Sequence, residues 1–311
     1  MTTIQQVLFD LETHYMGHPY FVTGNAIYSA LARRLPADTC QSVQVSHGMF
    51  VPGEYGSYPP EHSRSGGVPY MGASLRPVES LTDLYLFRDP ANRWLSDTRP
   101  REAHNTVDIH SHGGRLAMAP ATRFGRPPDA HHTKRTVNWR VYCYLHADGE
   151  GSPIPLDDTT LEGIRVGGAR NYGCGELSVA DTQTVDLQTL ETTRLEEAAD
   201  SDHGFQLELC TPYVRSSTHP DADDQQVPWW WGDTDDLRQR RTRLIKGSDC
   251  YELETVDHGQ VVTYTGDQPI KTAINGIRRV GTHSKFGFGE FRLRPASADR
   301  VPDRQERTTT Q

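Results

Sequence analysis

The chain has 311 residues, of which 35% are hydrophobic, and a formal net charge of −9 at pH 7. This length allows two domains that each bury a core. The sequence contains no run of about 18 apolar residues, so no membrane span is predicted. The acidic balance argues against nucleic-acid binding by the whole surface but allows a local arginine-lined groove. The five cysteines are scattered without a Cys-x-x-Cys pair, which argues against a disulfide framework and a structural zinc site.

The N-terminus has neither the basic region nor the apolar core of a secretory signal, so we expect a cytoplasmic protein. Only four of the 32 basic residues are lysines. This arginine-rich and aspartate-rich composition is typical of a GC-rich host, with an archaeal or halophilic source as one reading.

The first predicted element is a half-buried strand over residues 7–13, where apolar and polar residues alternate. A short helix is predicted over 26–35, because its apolar positions fall at helical spacing and Pro36 follows. Residues 46–135 are rich in Gly, Pro, His and Ser, which predicts a long loop-rich insertion.

The remainder of the first half is more regular. A strand is predicted over 138–145 and a helix over 156–164, with the carboxylate of Asp157 or Asp158 as its N-cap. A glycine-rich segment at 165–176 and a further strand then close this half.

The second half begins after a polar, acidic segment at 186–203 that we expect to be a linker. A second alternating strand is predicted over 205–214. An acidic loop at 216–236 follows and carries Trp229–Trp231; three adjacent tryptophans cannot all face one core if the segment is extended. These rings either clamp the loop onto its own domain or contact a partner or a base.

Strands at 250–255 and 260–265 are predicted to form a hairpin, because 257–259 read Asp-His-Gly. A short helix over 269–275 precedes a second glycine-rich segment. The tail at 296–311 is charged and nearly devoid of apolar residues, which predicts disorder.

The two glycine-rich segments are a repeat. Residues 165–176 and 279–290 align without gaps, and six of the twelve positions are identical. Each segment follows the last helix and precedes the last strand of its half. We therefore predict an α+β fold of tandem ferredoxin-like (RRM-like) βαββαβ domains with long loop insertions.

Glycine-rich turns allow close backbone approach, and their consecutive N–H groups can form a concave anion site. Neither segment ends in Gly-Lys-Ser/Thr, and neither follows a first strand, so a P-loop and a dinucleotide-binding loop are excluded. The alternative reading is that the glycines only permit tight helix-to-strand turns.

The two segments resemble the glycine-rich loops of the RAMP superfamily of CRISPR-associated proteins. Residues 23–31 are similar to the first-helix segment of that family, and 104–108 to a loop of several type III members. The resemblance covers most of 1–295 and implies tandem domains that bind CRISPR RNA in a multi-subunit complex. Thr282 stands where the first segment has Gly168, which departs from the repeat.

On this resemblance we expect a first domain at 1–185, a linker at 186–203 and a second domain at 204–295. The implied function is a non-catalytic, CRISPR RNA-binding subunit of an effector complex, most similar to the group that caps the five-prime handle, with other effector subunits as partners and without a cofactor or membrane contact. The loops would contact RNA backbone or hold the two domains together. The expected RNA-binding residues are Arg165, Gly167, Gly168, Arg170, Tyr172, Gly173, Gly175, Arg278, Arg279, Gly281, His283, Lys285, Phe286, Gly287 and Gly289.

Two other functions stay open at this point. A metal-independent repeat endoribonuclease of the same superfamily would use a histidine near the first helix, with His14 or His18 as candidates. A metal-dependent hydrolase would draw ligands from the insertion, where the candidates are His104, Asp108, His110, His112, His131 and His132. The arginines at 238–243 read as a solvated face or as part of an RNA groove.

Overall fold

The computed structural model describes residues 3–13, 15, 17, 21–52, 74–75, 77–85, 139–147, 152–200, 204–223, 226–232 and 237–296. Most of the predicted insertion at 46–135, and the whole tail from 297, lie outside the described residues. Within the described part, no helix is long and apolar enough to span a membrane.

The first half forms one seven-stranded antiparallel sheet with the order β2–β4–β5–β1–β7–β6, and β3 pairs with β5 beyond the end of β4. When β3 and β4 are taken as one interrupted strand, the four long strands follow the ferredoxin-like order. The elements are β1 (Thr3–Leu11), β2 (Phe21–Val22), α1 (Gly24–Leu31), α2 (Ala37–Ser42), β3 (Val43–Val45), β4 (Gly48–Pro52), β5 (Trp139–Ala147), α3 (Asp158–Leu161), β6 (Ile164–Arg165) and β7 (Glu176–Asp186).

Two of the three helices of this half, α1 and α3, begin at side-chain caps, whereas α2 begins after Pro36 without one. The Thr23 hydroxyl accepts the N–H of Ala26 at 3.3 Å, and Asp157 accepts the N–H of Thr160 at 2.8 Å. The predicted Asp157 cap is therefore confirmed, although α3 ends at Leu161. Helix α1 begins two residues earlier than predicted and ends four residues earlier, because 32–34 form a turn before Pro36.

The second half contains two three-stranded antiparallel sheets, β10–β11–β9 and β12–β8–β13. Strands β8 and β9 are the two parts of one bent strand, as are β11 and β12, so the combined order is again ferredoxin-like. The elements are α4 (Thr193–Ala199), β8 (Phe205–Leu209), β9 (Tyr213–Ser217), β10 (Gln239–Lys246), β11 (Asp249–Val256), β12 (Val261–Tyr264), α5 (Pro269–Arg278) and β13 (Phe291–Pro295).

Two predictions for this half need correction. The strand expected over 205–214 is interrupted, because the N–H groups of Cys210 and Thr211 both turn to the carbonyl of Glu290. The hairpin expected between 250–255 and 260–265 is wrong: β11 pairs with β9 and β10, whereas β12 pairs with β8. The described residues between β9 and β10 contain no helix, and α4 lies inside the expected linker.

The two faces of the first sheet are both covered. One face packs against α1, where Ile27, Ala30 and Leu31 are buried. Alternate residues of β1, Ile4 and Leu8, point to the other face and join a hydrophobic cluster that continues into the second half. That part of the cluster includes Phe205, Leu207, Ala273, Ile277 and Phe291. The two halves thus share one core, and the domain boundaries given above stay a prediction.

Candidate nucleic-acid interface

The two glycine-rich segments, hereafter the first loop (165–176) and the second loop (279–290), share left-handed backbone positions from their third residue onward, although Arg279 has a φ of 64° and Arg165 lies in β6. Each contains a 3-10 turn, Arg170–Tyr172 in the first and Ser284–Phe286 in the second. Left-handed φ angles occur at equivalent positions: 79° and 87° at Gly167 and Gly281, 55° and 65° at Ala169 and His283, 86° and 90° at Gly173 and Gly287, and 72° and 77° at Gly175 and Gly289.

The last glycine of each loop is required by a close approach of the backbone. An added Cβ would lie 1.9 Å from the carbonyl oxygen of Val166 at Gly175, and 1.9 Å from that of Val280 at Gly289. The same pairs close the loops, since Val166 N–H donates to Gly175 at 2.9 Å and Val280 N–H donates to Gly289 at 3.1 Å. No side chain fits at either glycine without opening its loop.

The first loop faces solvent. The ring of Tyr172 is 83% exposed, and Arg170 beside it is only partly buried. Burial lowers the pKa of Arg170, and the positive charge of Arg33, just beyond α1, lowers it further. Among the described residues, Arg170 has no carboxylate within 4.0 Å, whereas Arg165 forms an exposed ion pair with Glu176 at 2.8 Å. The loop therefore presents the exposed ring of Tyr172 two residues from Arg170, whose charge interacts with that of Arg33.

Sequence reasoning did not select Arg33, because it belongs to the turn after α1 and not to a motif. Its neighbour Arg34 donates to the carbonyls of Thr160, Glu162 and Gly163, which ties this turn to the segment before the first loop. In the sequence, Arg33 and Arg34 are only a basic pair inside the predicted helix 26–35, and their approach to the first loop is a result of folding.

The second loop packs against the first half. The Phe286 ring lies 5.1 Å from the ring of Tyr28 on α1. The Lys285 ammonium donates to the carbonyl of Gln41 at 2.9 Å and lies 4.8 Å from the centre of the Tyr28 ring. Gly287 lies against His47, which leaves no room for a Cβ. The equivalent residues of the first loop thus face solvent, and those of the second are covered.

Arg279 illustrates the same divergence. It occupies the position of the exposed Arg165 but is only 5% exposed, and it donates to the carbonyl of Ser284 at 2.8 Å and to Nδ1 of His146 at 3.0 Å. Burial and the charges of Arg279 and Arg278 lower the pKa of His146 to about 2. A neutral His146 can therefore accept from the arginine, and this contact joins the second loop to β5.

Both loops lie beside α1. Its first residue, Gly24, touches the backbone of Phe286 in the second loop, and the helix also packs against β6, where the first loop begins. The structure therefore groups the predicted residues in two places beside one helix, not in a single site. Their contact with RNA stays a prediction.

The histidine, tryptophan and arginine candidates outside the two loops are placed as follows. His14, His18 and the candidate metal ligands of the insertion lie outside the described residues, and within the described part no group of three or more His, Cys, Asp or Glu could hold a metal. Trp231 is buried against Tyr213, whereas Trp229 is 77% exposed. The arginines at 238–243 lie on or just before β10, where Arg238 pairs with Asp257 at 2.5 Å.

The fold and the loops define a class: a protein of two ferredoxin-like units with a glycine-rich loop before the last strand of each. A solved structure titled "CRISPR associated protein Cas6" is similar to this chain with a TM-score of 0.37 and 10% sequence identity, over 94% of this chain and 98% of that chain. No protein-family model matches the chain, and no curated protein sequence matches it.

Proposed function

We propose that the protein is an RNA-binding, non-catalytic subunit of a CRISPR effector complex and that it contacts the backbone of the guide RNA through its glycine-rich loops. The observation that carries this proposal is the repeated loop conformation, which occurs twice beside α1 and is exposed in the first copy. The resemblance of both loops to those of the RAMP superfamily supports the same proposal.

The first loop makes the main RNA contact in this proposal. Its glycines allow an RNA backbone to approach the chain, and its N–H groups supply donors for phosphate oxygens. The guanidinium groups of Arg170 and Arg33 add charge-assisted contacts, and the exposed ring of Tyr172 provides a face on which a base stacks. These contacts suit single-stranded RNA, whose bases are free to stack.

The second loop holds the two halves together, and it contributes to RNA binding only through residues that remain partly exposed, such as His283. In this proposal the first sheet is not a stacking platform, because the face opposite α1 is occupied by the shared core. In this proposal the RNA therefore runs beside α1.

The first test is purification from the native host followed by sequencing of bound RNA. Guide-length RNA with a uniform end supports the proposal, and the absence of RNA from the folded protein and its complexes contradicts it. The same preparation, incubated with repeat RNA without metal, tests the endoribonuclease alternative, because a scaffold leaves the RNA intact.

The second test measures the affinity of the co-purifying RNA, resynthesised with a fluorescent label, for variants of the first loop. Tyr172→Ala should weaken binding by about 1–3 kcal/mol, or roughly 5- to 150-fold, because one stacked base loses its partner. Arg170→Ala should reduce the slope of log K against log salt by about 0.7, the value for one lost phosphate contact on a single strand.

Arg194→Ala is the matched control for these variants. Arg194 is an exposed arginine on α4, outside both loops, so its loss changes the net charge by the same amount. Equal effects of Arg170→Ala and Arg194→Ala would mean that only net charge matters and would contradict a site at the first loop.

A further inference from the structure

A polar cluster lies where the second loop meets the ends of two strands. His283, at the left-handed position of the second loop, places Nε2 2.9 Å from the hydroxyl of Ser217 at the end of β9. The rings of His283 and His219 lie 5.4 Å apart. Lys246, at the end of β10, places its ammonium 3.3 Å from Nε2 of His219. We call His219, His283, Ser217 and Lys246 the junction cluster.

The hydrogen bonds of His219 decide its tautomer. The N–H of Asp221 donates to Nδ1 of His219 at 3.1 Å, and we assign the tautomer from this backbone contact: Nδ1 carries no hydrogen, the neutral ring carries it on Nε2, and Lys246 therefore does not donate to Nε2. The Lys246 ammonium is a donor without acceptor capacity. Two donors, the His219 Nε2–H and the Lys246 ammonium, therefore converge on one point. An acceptor placed between them would satisfy both.

The charge nearest to this point is that of Lys246, and acidic residues lie farther out: Asp249 on β11 is the cross-strand partner of Lys246. Among the described residues, Lys246 has no carboxylate within 4.0 Å. The Asp221 carboxylate is 3.9 Å from Nδ1, on the far side of the His219 ring, and is 83% exposed. Burial lowers the pKa of His283 to about 4, with further lowering by His219 and Lys246. The acceptor that fits here is therefore an anion.

A second lysine lies close to the junction cluster. Burial raises the pKa of Tyr28, and the charge of Lys246 partly offsets this, while the Lys285 ammonium lies 4.8 Å from the centre of the same ring. Lys246 and Lys285 are two of only four lysines in the chain. Lys246 is exposed and His283 is half-buried, so a ligand can reach the cluster from solvent.

We propose that the junction cluster binds a phosphate group of the RNA backbone, with the Lys246 ammonium and the His219 Nε2–H as its donors and Lys285 as a nearby positive charge. This inference rests on the proposed function for the source of the phosphate. The two donors lie outside both glycine-rich loops, with His219 just beyond β9 and Lys246 at the end of β10, whereas His283 and Lys285 belong to the second loop.

The first experiment probes the site without RNA. Inorganic phosphate is titrated into protein labelled with ¹⁵N-histidine, and the ring resonances are followed by NMR. We expect saturable shifts of the His219 resonances in the wild type and in Lys271→Met, a control that removes an exposed lysine from α5. Lys246→Met should abolish these shifts. Unshifted His219 resonances in the wild type, or shifts that persist in Lys246→Met, overturn the proposal.

The second experiment uses the RNA of the proposed function. Lys246→Met should reduce the salt slope of binding by about 0.7, since one phosphate contact is lost, and Lys271→Met should leave the slope unchanged. If the wild type binds RNA and Lys246→Met has the same slope, the junction site is wrong and the proposed function stands. If phosphate shifts His219 but the wild type binds no RNA, the phosphate site stands and the proposed function fails.

Discussion

The contribution of the second loop to stability can be measured by comparing two variants, Gly287→Ala and Gly173→Ala. Both variants carry the same backbone strain, but only Gly287→Ala disturbs the packing of the second loop against the first half. The two glycines occupy the same loop position, with φ angles of 90° and 86°. An added Cβ at Gly287 would lie 2.2 Å from Nδ1 and 2.7 Å from the backbone nitrogen of His47, whereas at Gly173 it would meet nothing within 4 Å. Only the contact with His47 differs.

The expected difference in the free energy of unfolding follows from the contacts that each substitution disturbs. A left-handed alanine costs about 1–2 kcal/mol, and this cost applies to both variants. Displacing His47 also endangers the hydrogen bond that Gly24 N–H donates to it, worth about 0.5–1.5 kcal/mol. The ring contacts Phe288–His47 and Phe286–Tyr28 are worth about 0.5–1.5 kcal/mol each. Gly287→Ala should therefore destabilise the protein by about 1.5–4.5 kcal/mol more than Gly173→Ala.

The assay is equilibrium unfolding in urea, followed by tryptophan fluorescence and by far-UV circular dichroism. Coincident curves from the two probes justify a free energy from each midpoint. If the two variants agree within about 0.5 kcal/mol, the second loop is not held against His47 and the reasoning fails.

Two further predictions concern buried charge. The native state keeps His146 neutral with a pKa of about 2, whereas the unfolded chain protonates it below about 6.5, so stability falls on acidification and loses about 2 kcal/mol by pH 5. In His146→Gln, the unfolding free energy should depend less on pH between 7 and 5. The same pH dependence in the variant and the wild type would contradict a buried, neutral His146. Glu208→Gln should cost about 3–5 kcal/mol in urea unfolding, because the buried Glu208 pairs with Arg292 at 2.7 Å. Glu176→Gln, in an exposed pair, should cost about 0–1 kcal/mol, and similar losses for both variants would refute the argument from burial.

The repeat was the part of the molecule that the sequence could predict best. Glycines at matched positions predict matched turns, since few other residues adopt left-handed φ angles, and Gly173 and Gly287 confirm this. The glycine pattern could not indicate which of the two loops is covered, because the burial of the second loop depends on its tertiary contacts with the first half. One signal was present: Tyr172, with its hydroxyl, is exposed, and its partner Phe286 is apolar and packed.

The errors in the second half also have a physical cause. Strand β10 was not predicted because most of its residues are exposed and four of its eight side chains are Arg or Lys, which hides the apolar alternation around Leu244. The hairpin was misassigned because the Asp-His-Gly sequence at 257–259 marks an interruption within one bent strand, β11 and β12, and not a reversal of the chain. The junction cluster unites residues 217, 219, 246 and 283, which only tertiary structure brings together.

The shared core has a consequence for biosynthesis. Strand β1 leaves the ribosome long before the second half, yet Ile4 and Leu8 belong to one buried hydrophobic cluster with Phe205, Leu207 and Phe291, which are made about 200 to 290 residues later. Domains usually fold as units during synthesis, N-terminal first. Leu81, Leu84 and Tyr85 of the first half belong to the same cluster, but the part of this apolar face that the second half covers stays exposed until β13 has emerged. Premature termination before that point would therefore release a chain with an aggregation-prone surface, in place of a folded N-terminal half.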